Sequence, residues 1–502
     1  MKHLTILFAL IASTSIVFGQ AEGQEFQGSV PGDFFRGFNL NLKKIKVKDL
    51  SYFIPKDFKY IEGGAYSFDG LDFPLKRTDQ DSCLIMDVND FRASDNLSIR
   101  TIHSFYLSDH EVTNQEYRKF VLWVKEYTAR KILAKYYPEK YLNEFEQLVL
   151  DQPIDWTDSI LHQEMYGNGF EFGDYLKTEK LSYEFDLKVL DTVIIHDTIF
   201  NTYFTPYSYK NRQMSYSVYP DTLCWEFDFT YSFNRSMTKY YYSHPSYDDY
   251  PVVGVNWYQA QAYCTWLTYR MAEDIFYCIN GYRYNGYFED NDSLFQKYSI
   301  MQFRLPTEIE YMYASIPKEK WLAPKFLGTS KQQANSGAIE DINGIMLKGW
   351  DNDGYLYPSP IKSYKPNRHG IYDLQGNVSE WTEYGLTLEN PYKISSHDDL
   401  ETAVNKILSS QLYQTRGFIQ KPLWVENYAD GLLSNLRLID QEPNGKIVKG
   451  GNWWQGPIYL MPEVSSLHSA ESSRSTIGFR VAIDRTLTEI KKNQLVFYLQ
   501  ED

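Results

Sequence analysis

The chain has 502 residues, a formal net charge of −15 at pH 7 and a pI near 5.2. Its 43% apolar and 23% charged residues exclude a mainly disordered or fibrous chain, and its acidity disfavours binding to nucleic acid or anionic lipid. Aromatic residues reach 17% (11 Trp, 43 Tyr and 30 Phe), a composition that suits half-buried surfaces and interfaces.

Residues 1–19 predict a secretory signal peptide. Lys2 precedes an apolar run from Leu4 to Phe18, and a small residue follows at the expected cleavage position. An uncleaved membrane anchor is the alternative, but the run is shorter than the roughly 18–20 apolar residues that span a bilayer. We therefore expect an exported, periplasmic protein in which residues 20–59 form an N-terminal arm.

The four cysteines are too few to hold a chain of this length together by disulfide bonds. They are Cys83, Cys224, Cys264 and Cys278. A helical pattern starts at Trp257 and carries Cys264. If the same helix carried Cys278, its rise would separate the two cysteines by roughly 21 Å, far beyond the ~7 Å limit for a disulfide. The sequence disfavours that pair unless the helix folds back, and it leaves the connectivity open.

The first ordered block, residues 60–124, is predicted as the first part of a main domain. Gly63–Gly64 indicates a turn into a strand, and residues 102–107 have the composition of another strand. Thr113 and Glu116 then have the spacing of a capping box, which predicts the start of a helix.

Residues 125–249 differ in character and predict a Tyr-rich inserted subdomain. A helix-like charged segment gives way to predicted strands, one of them at Trp225–Tyr231. Because exposed aromatic patches mark association sites, we predict a partner-binding surface here. Its candidates are Trp225, Phe227, Phe229, Tyr231, Tyr240, Tyr241 and Tyr242. The alternative is that about half of them form the core of the insertion, since alternate residues of a strand share a face.

The main domain is predicted to resume over residues 250–484, with residues 485–502 as a C-terminal tail. Asn256 is a predicted N-cap, and Arg304–Glu308 leads into a further helix. Residues 332–376 contain Gly, Asn, Asp and Pro at frequent intervals, which predicts a long irregular segment. Such segments within a compact domain are often functional. Its backbone groups need partners, and a metal ion bound by carbonyl oxygens is one solution.

Seven short motifs occur in an order that resembles the formylglycine-generating enzyme, or sulfatase-modifying factor, family. They are Ile61–Gly64, Phe105–Asn114, Pro251–Val255, Arg304–Glu308, Gly376–Trp381, Gly450–Trp453 and Gly478–Ala482. Each motif alone is weak, and their shared order carries the resemblance. It implies an α+β fold, a variant of the C-type lectin fold with little regular structure, interrupted here by the inserted subdomain.

Motifs inside and just after the insertion resemble the GldK/PorK group of gliding-motility and type IX secretion proteins. They are Val218–Leu223, Phe227–Ser232 and His244–Pro251. This resemblance implies a periplasmic, outer-membrane-associated protein that self-associates and builds a ring with a GldN/PorN-type partner. That group usually carries a lipidated cysteine after the signal peptide, and this sequence has none there. We therefore expect contact with the outer membrane to come through partners.

The family resemblance also bears on catalysis. Oxidase members bind copper(I) through two cysteines near their Gly-Gly-Ser/Asn motif, because this soft ion selects sulfur ligands. Residues 450–480 contain no cysteine, and Trp453 and Trp454 stand where the first is expected. The chain also lacks a nucleophile elbow, a phosphate loop and a His-Glu-x-x-His motif. The sequence therefore predicts a non-catalytic protein without copper.

Calcium is the expected cofactor, in a structural role, since it takes carboxylate and carbonyl oxygens from irregular loops. By family resemblance, the first site comprises the side chains of Asp373 and Glu380 and the carbonyl oxygens of Gly376 and Val378. The second comprises Asn335, the carbonyl oxygen of Ser336, Asp353 and the carbonyl oxygen of Tyr355. The alternatives are that Glu380 pairs with a core arginine and that Asp353 caps a turn.

Three functions follow from these observations. The leading hypothesis is a non-catalytic structural component of a type IX secretion ring. The second is a calcium-dependent binding module for glycan or peptidoglycan, because lectin-like folds bind sugars with calcium and aromatic platforms. The third is a formylglycine-generating oxidase, which the missing cysteine pair disfavours.

Overall fold

The computed structural model describes residues 54–67, 99–169, 173–192, 195–197, 202–204, 207–228, 234–315, 334–337, 339–340, 346–348, 354–385, 445–455, 457–460, 462 and 466–485. Several predictions lie outside these ranges. They are the signal peptide, most of the N-terminal arm, Cys83, Phe229, Tyr231, Asp353 and the C-terminal tail after residue 485.

The fold mixes helices and short strands, as the α+β prediction requires. The helices are α1 (Asn114–Tyr136), α2 (Pro138–Tyr141), α3 (Ser159–Met165), α4 (Cys224–Phe227), α5 (Arg235–Tyr240), α6 (Trp257–Asn280), α7 (Asp292–Tyr298) and α8 (Glu308–Ser315). None of these described helices has the length and apolar character needed to cross a membrane.

Most strands have two to five residues. They are β1 (Phe58–Ile61), β2 (Gly64–Ser67), β3 (Ile99–Ile102), β4 (Phe105–Ser108), β5 (Tyr166–Gly169), β6 (Gly173–Leu176), β7 (Ser182–Thr192), β8 (Ile195–Asp197), β9 (Thr202–Phe204), β10 (Tyr207–Ser217), β11 (Phe303–Arg304), β12 (Ile339–Glu340), β13 (Met346–Lys348), β14 (Ser379–Gly385), β15 (Gly445–Lys449), β16 (Ser466–Ser469), β17 (Ile477–Gly478) and β18 (Ala482–Asp484). The strand predicted at residues 102–107 is in fact divided between β3 and β4.

Two four-stranded sheets form the frame of the main domain. The first has the order β1-β4-β18-β11 with antiparallel neighbours, and the second has the order β16-β15-β14-β17. Leu107 of β4 lies opposite Ala482 of β18, so the beginning and end of the domain meet in one sheet. In the second sheet, β14 runs parallel to β17 and antiparallel to β15.

Helix α1 begins where the capping box predicts. The Thr113 hydroxyl accepts from the backbone N–H of Glu116 at 3.2 Å, and the Glu116 carboxylate accepts from the backbone N–H of Thr113 at 2.9 Å. Apolar residues such as Phe120 are fully buried on its inner face. The helix continues to Tyr136, so the predicted domain boundary between residues 124 and 125 divides one continuous helix.

Helix α6 is the other long helix, and Asn256 caps it as predicted, again with a capping box. It ends at Gly281, whose φ of +80° is the left-handed conformation that favours glycine. Cys264 and Cys278 lie on this single helix, and both are buried free thiols. The prediction that these two cysteines do not pair is therefore confirmed.

The inserted segment packs directly onto α1 and α6. Its 11-residue strands β7 and β10 form an antiparallel hairpin. Tyr183 and Phe185 of β7 are buried, and the Tyr183 ring lies 5.5 Å from Phe120 and 5.8 Å from Trp123, between ring centroids. One apolar cluster therefore contains residues of both the insertion and the main domain.

The strand predicted at Trp225–Tyr231 is wrong in its described part, because Cys224–Phe227 forms the helical turn α4. Trp225 is buried beneath this turn, with its ring 6.0 Å from Trp453 and 4.9 Å from Tyr241. Packing against residues distant in the chain overrides the strand propensity of an aromatic-rich segment.

Candidate functional site

The loop of the first predicted calcium set turns through unusual backbone conformations. Asp373, Gly376 and Asn377 have φ values of +54°, +85° and +61°. Gly376 has no room for a side chain, because a Cβ there would lie 2.1 Å from the carbonyl oxygen of Asn335. The same carbonyl accepts from the backbone N–H of Asn377 at 2.9 Å. The structure thus brings the first predicted set next to Asn335 of the second.

Glu380 lies in β14 and is wholly buried in an ion pair. Its Oε2 accepts from Nε of Arg480 at 2.5 Å, and its Oε1 accepts from Nη2 of Arg480 at 2.7 Å. Arg480 is also wholly buried and donates to the carbonyl oxygens of Ser108 at 3.2 Å and Tyr372 at 3.0 Å. This contact is the alternative that the sequence left open for Glu380, a pair with a core arginine.

Two more buried carboxylates lie near this pair. Glu111 accepts through Oε1 from Nδ2 of Asn377 at 3.0 Å, and Asp373 accepts through Oδ2 from the backbone N–H of Lys362 at 2.7 Å. The second oxygen of each carboxylate is buried without a hydrogen-bond partner among the described residues. Burial, reinforced by repulsion from Glu380, raises the pKa of Glu111 and raises the pKa of Asp373 to about 6.

These atoms fit calcium only in part. The unpaired oxygen of Asp373, beside loop carbonyls, is a ligand of the kind that calcium prefers. Glu380 offers no such oxygen in this arrangement, because Arg480 occupies both. Within the described ranges, no three His, Cys, Asp or Glu side chains converge to hold a metal ion. The described side chains therefore supply only part of the first ligand set that the resemblance implied.

The second predicted set can be followed for three of its four residues. Asn335 and Ser336 are buried, Tyr355 is half-buried, and Asp353 lies outside the described residues. Asn335 donates from Nδ2 to the carbonyl oxygen of Tyr357 at 2.9 Å, whereas its Oδ1 is buried without a partner in the described part of the chain. Its side chain therefore keeps one oxygen available.

The turn at residues 450–455 occupies the place where the family resemblance puts redox cysteines. Gly451 has a φ of +67°, and a Cβ there would lie 2.7 Å from the carbonyl group of Tyr459. Trp453 is buried, stacks 6.0 Å from Trp225, and donates from Nε1 to the carbonyl oxygen of Ser475 at 3.2 Å. Aromatic rings fill this position.

One thiol, Cys224, belongs to the same apolar cluster as Trp453. It is buried, and burial raises its pKa well above the ordinary thiol value, so the thiol stays neutral. Copper(I) is a soft ion that selects sulfur ligands. The other two described cysteines lie on α6 and belong to a different apolar cluster, so the described part of the chain places one thiol in the Trp453 cluster.

The predicted partner-binding residues divide into two groups. The structure buries Trp225, Tyr241 and Tyr242, and Tyr241 donates from its hydroxyl to the carbonyl oxygen of Pro251 at 2.7 Å. These three side chains have no free surface for a partner, since main-domain residues cover them, and their placement corresponds to the alternative core role. Phe227 is 68% exposed and Tyr240 is half-buried, so the described part of the prediction now rests on these two.

Sequence reasoning missed three exposed apolar side chains whose chain neighbours belong to the apolar cluster of Trp225 and Trp453. They are Leu223, Leu356 and Trp454. Leu223, the N-cap residue of α4, and Phe227, the last residue of α4, lie four positions apart, so both point away from Trp225. Interpreting residues 223–227 as a helical turn would have predicted that Leu223 and Phe227 share an exposed face, whereas the strand prediction did not.

A second feature missed in the sequence is an ionic network that reaches the loop of Asp373. His110 is buried between two carboxylates. Its Nδ1 lies 2.6 Å from Oδ1 of Asp109, and its Nε2 lies 3.5 Å from Oε1 of Glu116. Asp109 also pairs with Lys362 at 2.8 Å and with Lys59 at 3.0 Å. Because the backbone N–H of Lys362 donates to Asp373, the network connects the start of α1 to the loop.

Comparisons with known proteins match most of the chain to one domain family. Residues 57–485 match the profile of the sulfatase-modifying factor enzyme 1-like domain. The chain is 35% identical over 86 residues to the formylglycine-generating enzyme of Streptomyces coelicolor, covering 16% of this chain and 25% of that protein. It is 23% identical over 253 residues to the formylglycine-generating enzyme of Bos taurus, covering 48% of this chain and 46% of that protein.

Both matches span less than half the length of the curated relative.

Among solved structures, PvdO from Pseudomonas aeruginosa aligns with 86% of this chain and 95% of its own, at 14% identity and a TM-score of 0.33. The family profile covers most of the chain, including both sheets and the loop of Asp373. The chain therefore belongs to the sulfatase-modifying factor enzyme 1-like domain family, with the α+β fold predicted from its motifs.

Proposed function

We propose that this protein is a non-catalytic structural component of the periplasmic, outer-membrane-associated ring of the type IX secretion and gliding-motility machinery. The observation that supports it is the turn at residues 450–455, where Trp453 fills the position of a redox cysteine. A family fold with an aromatic ring at this position can still present surfaces to partners.

The partners in this proposal are a GldN/PorN-type ring protein and further copies of the chain, and attachment to the outer membrane comes through them. The motifs Val218–Leu223 and His244–Pro251 support this choice. The net charge of −15 argues against nucleic acid as a partner.

The non-catalytic part is tested by oxygen uptake. The full chain is loaded with copper(I) and supplied with a cysteine-containing peptide, and a formylglycine-generating enzyme serves as positive control. We expect uptake no faster than with copper and peptide alone. Copper-dependent turnover by the chain would restore the oxidase hypothesis.

The partner surface is tested by titration with the GldN/PorN-type protein. Phe227→Ala and Tyr240→Ala should weaken binding by about tenfold or more if they contribute to a hot spot. Phe145→Ala is the matched control, because Phe145 is 72% exposed in the same insertion. Equal affinities for all three variants would remove these residues from the interface.

Binding of glycan or peptidoglycan is the second candidate, and one observation favours it. Trp454 is 45% exposed, and the backbone N–H of Gly337 donates to the carbonyl oxygen of Gln455 at 2.8 Å, so an exposed indole lies beside the Asn335 loop. Signal on a glycan array that disappears with a chelator and with Trp454→Ala would support this function. Full signal from Trp454→Ala would reject Trp454 as the platform.

A further inference from the structure

A separate group of buried charges lies in the C-terminal half of α6. Nη2 of Arg270 lies 2.6 Å and 2.7 Å from the two oxygens of Glu289 and 3.1 Å from Oε1 of Glu273. Asp274 is wholly buried, and Nη1 of Arg283 lies 3.9 Å from its Oδ1. We refer to these five residues as the α6 cluster.

The α6 cluster contains three carboxylates and two guanidinium groups, so its formal charges do not balance. Both oxygens of Asp274 lack a hydrogen-bond partner among the described residues, and Glu273 contacts Arg270 in an ion pair at 3.1 Å. At 3.9 Å, Arg283 is too far from Asp274 for a hydrogen bond. A carboxylate that is buried without donors is costly as an anion, and a single bound proton restores the balance.

The α6 cluster also joins several elements. The Arg270 guanidinium lies 4.2 Å from the centre of the Trp123 ring on α1, and Glu289 accepts from the hydroxyl of Tyr183 on β7 at 3.1 Å. Glu289 belongs to the 3₁₀ turn Phe288–Asp290, which follows α6. A change of charge in the cluster therefore acts on the contact between the insertion and the main domain.

We propose that the α6 cluster is a pH-sensitive latch, in which a proton held by Asp274 and Glu273 keeps residues 281–291 and β7 packed against α6, and its loss above neutral pH loosens them. The groups that face Asp274 and its partners are Arg270, Glu273, Cys278, Arg283, Glu289 and Tyr183. From α1, Tyr127 donates to Asp290 at 3.0 Å.

The direction of the pH dependence follows from burial. Burial raises the pKa of Asp274 to about 7, outweighing the attraction of Arg283 and Arg270. It also raises the pKa of Glu273 and of Glu289. Because an unfolded aspartate has a pKa of about 3.9, the folded state binds the proton more tightly. The packing is therefore stabilised as pH falls from about 8 toward 4 and is lost as pH rises through the folded value.

Hydrogen exchange on the full chain tests the latch. Rates at pH 5.5 and pH 8, corrected for intrinsic exchange, should show about 30-fold lower protection at pH 8 in peptides from 270–291 and 182–192, for one group with the pKa of Asp274. Asp274→Asn should remove most of this pH dependence in these peptides. Asp151→Asn, at an exposed aspartate, should keep the wild-type dependence.

Glu273→Gln provides a second variant should Asp274→Asn fail to fold, and it should reduce the same dependence. Unchanged wild-type protection between the two pH values would overturn the proposal. So would a wild-type dependence that survives in the folded variants.

Discussion

Glu380 and Arg480 carry opposite charges and are wholly buried. Each charge is stabilised in the core by the other. They are 100 residues apart in the chain and meet because parallel pairing of β14 with β17 places Glu380 opposite Gly478. The sequence motif shows that Asp373 and Glu380 belong together. It does not show that Arg480 takes both oxygens of Glu380, because that contact depends on strand pairing.

The first prediction concerns this ion pair. Glu380→Gln leaves the Arg480 charge buried without its counter-ion, so we expect the free energy of unfolding to fall by about 3–5 kcal/mol. Urea denaturation measures the loss, with Glu139→Gln at an exposed position as control. A loss no larger than that of the control would show that the pair is unimportant.

The second prediction separates calcium from the ion pair. If calcium binds at the unpaired oxygen of Asp373, a chelator should lower the melting temperature, because binding to the folded state stabilises it. Asp373→Asn should abolish that shift. Glu380→Gln should lower the melting temperature with and without chelator. A wild-type protein that is indifferent to chelation would contradict the calcium assignment.

The third prediction concerns His110. Burial would lower its pKa, but the attraction of Glu116 and the hydrogen bond to Asp109 outweigh burial and raise it to about 9. Because the folded value exceeds the unfolded value of about 6.5, this stabilisation is complete below pH 6.5 and is lost as pH rises through 9. Its size is about 3 kcal/mol.

Urea midpoints between pH 6 and pH 10 measure this dependence. His110→Gln should flatten the decline at high pH relative to the wild type. An identical decline in the variant would assign the alkaline sensitivity to other groups.

At the scale of elements, local signals predicted helix starts well. The caps at Thr113 and Asn256 depend on residues within three positions of each other, so the sequence contains all the information needed. The strand predicted at Trp225–Tyr231 failed because burial of Trp225 against Trp453 depends on residues far along the chain. The domain boundary predicted after residue 124 also depends on long-range packing, since α1 continues to Tyr136 and contacts both the main domain and the insertion.

The fourth prediction tests the cap of α1. Thr113→Ala removes the side-chain acceptor for the N–H of Glu116, so the free energy of unfolding should fall by about 1 kcal/mol. Thr157→Ala, at an exposed threonine outside the helices, is the matched control. A loss equal to that of the control would mean that α1 is held by packing alone.

At the scale of the whole molecule, the fold class and family were predictable because seven short motifs keep their order over most of the chain. The packing of the insertion against the main domain was not predictable, because aromatic composition alone does not distinguish a core from a contact surface. The structure resolves this for Trp225 and Tyr241, which belong to the core, and leaves Phe227 exposed. The molecule thus combines buried aromatic residues with an exposed Phe227.

The fifth prediction concerns assembly, the central claim of this account. The full chain, mixed in equal amounts with its GldN/PorN-type partner, should form a large particle of defined mass and closed shape, seen by sedimentation velocity and electron microscopy. The ring proposal predicts this particle in place of the separate proteins. A mixture in which both proteins sediment as monomers at every concentration tested would contradict it.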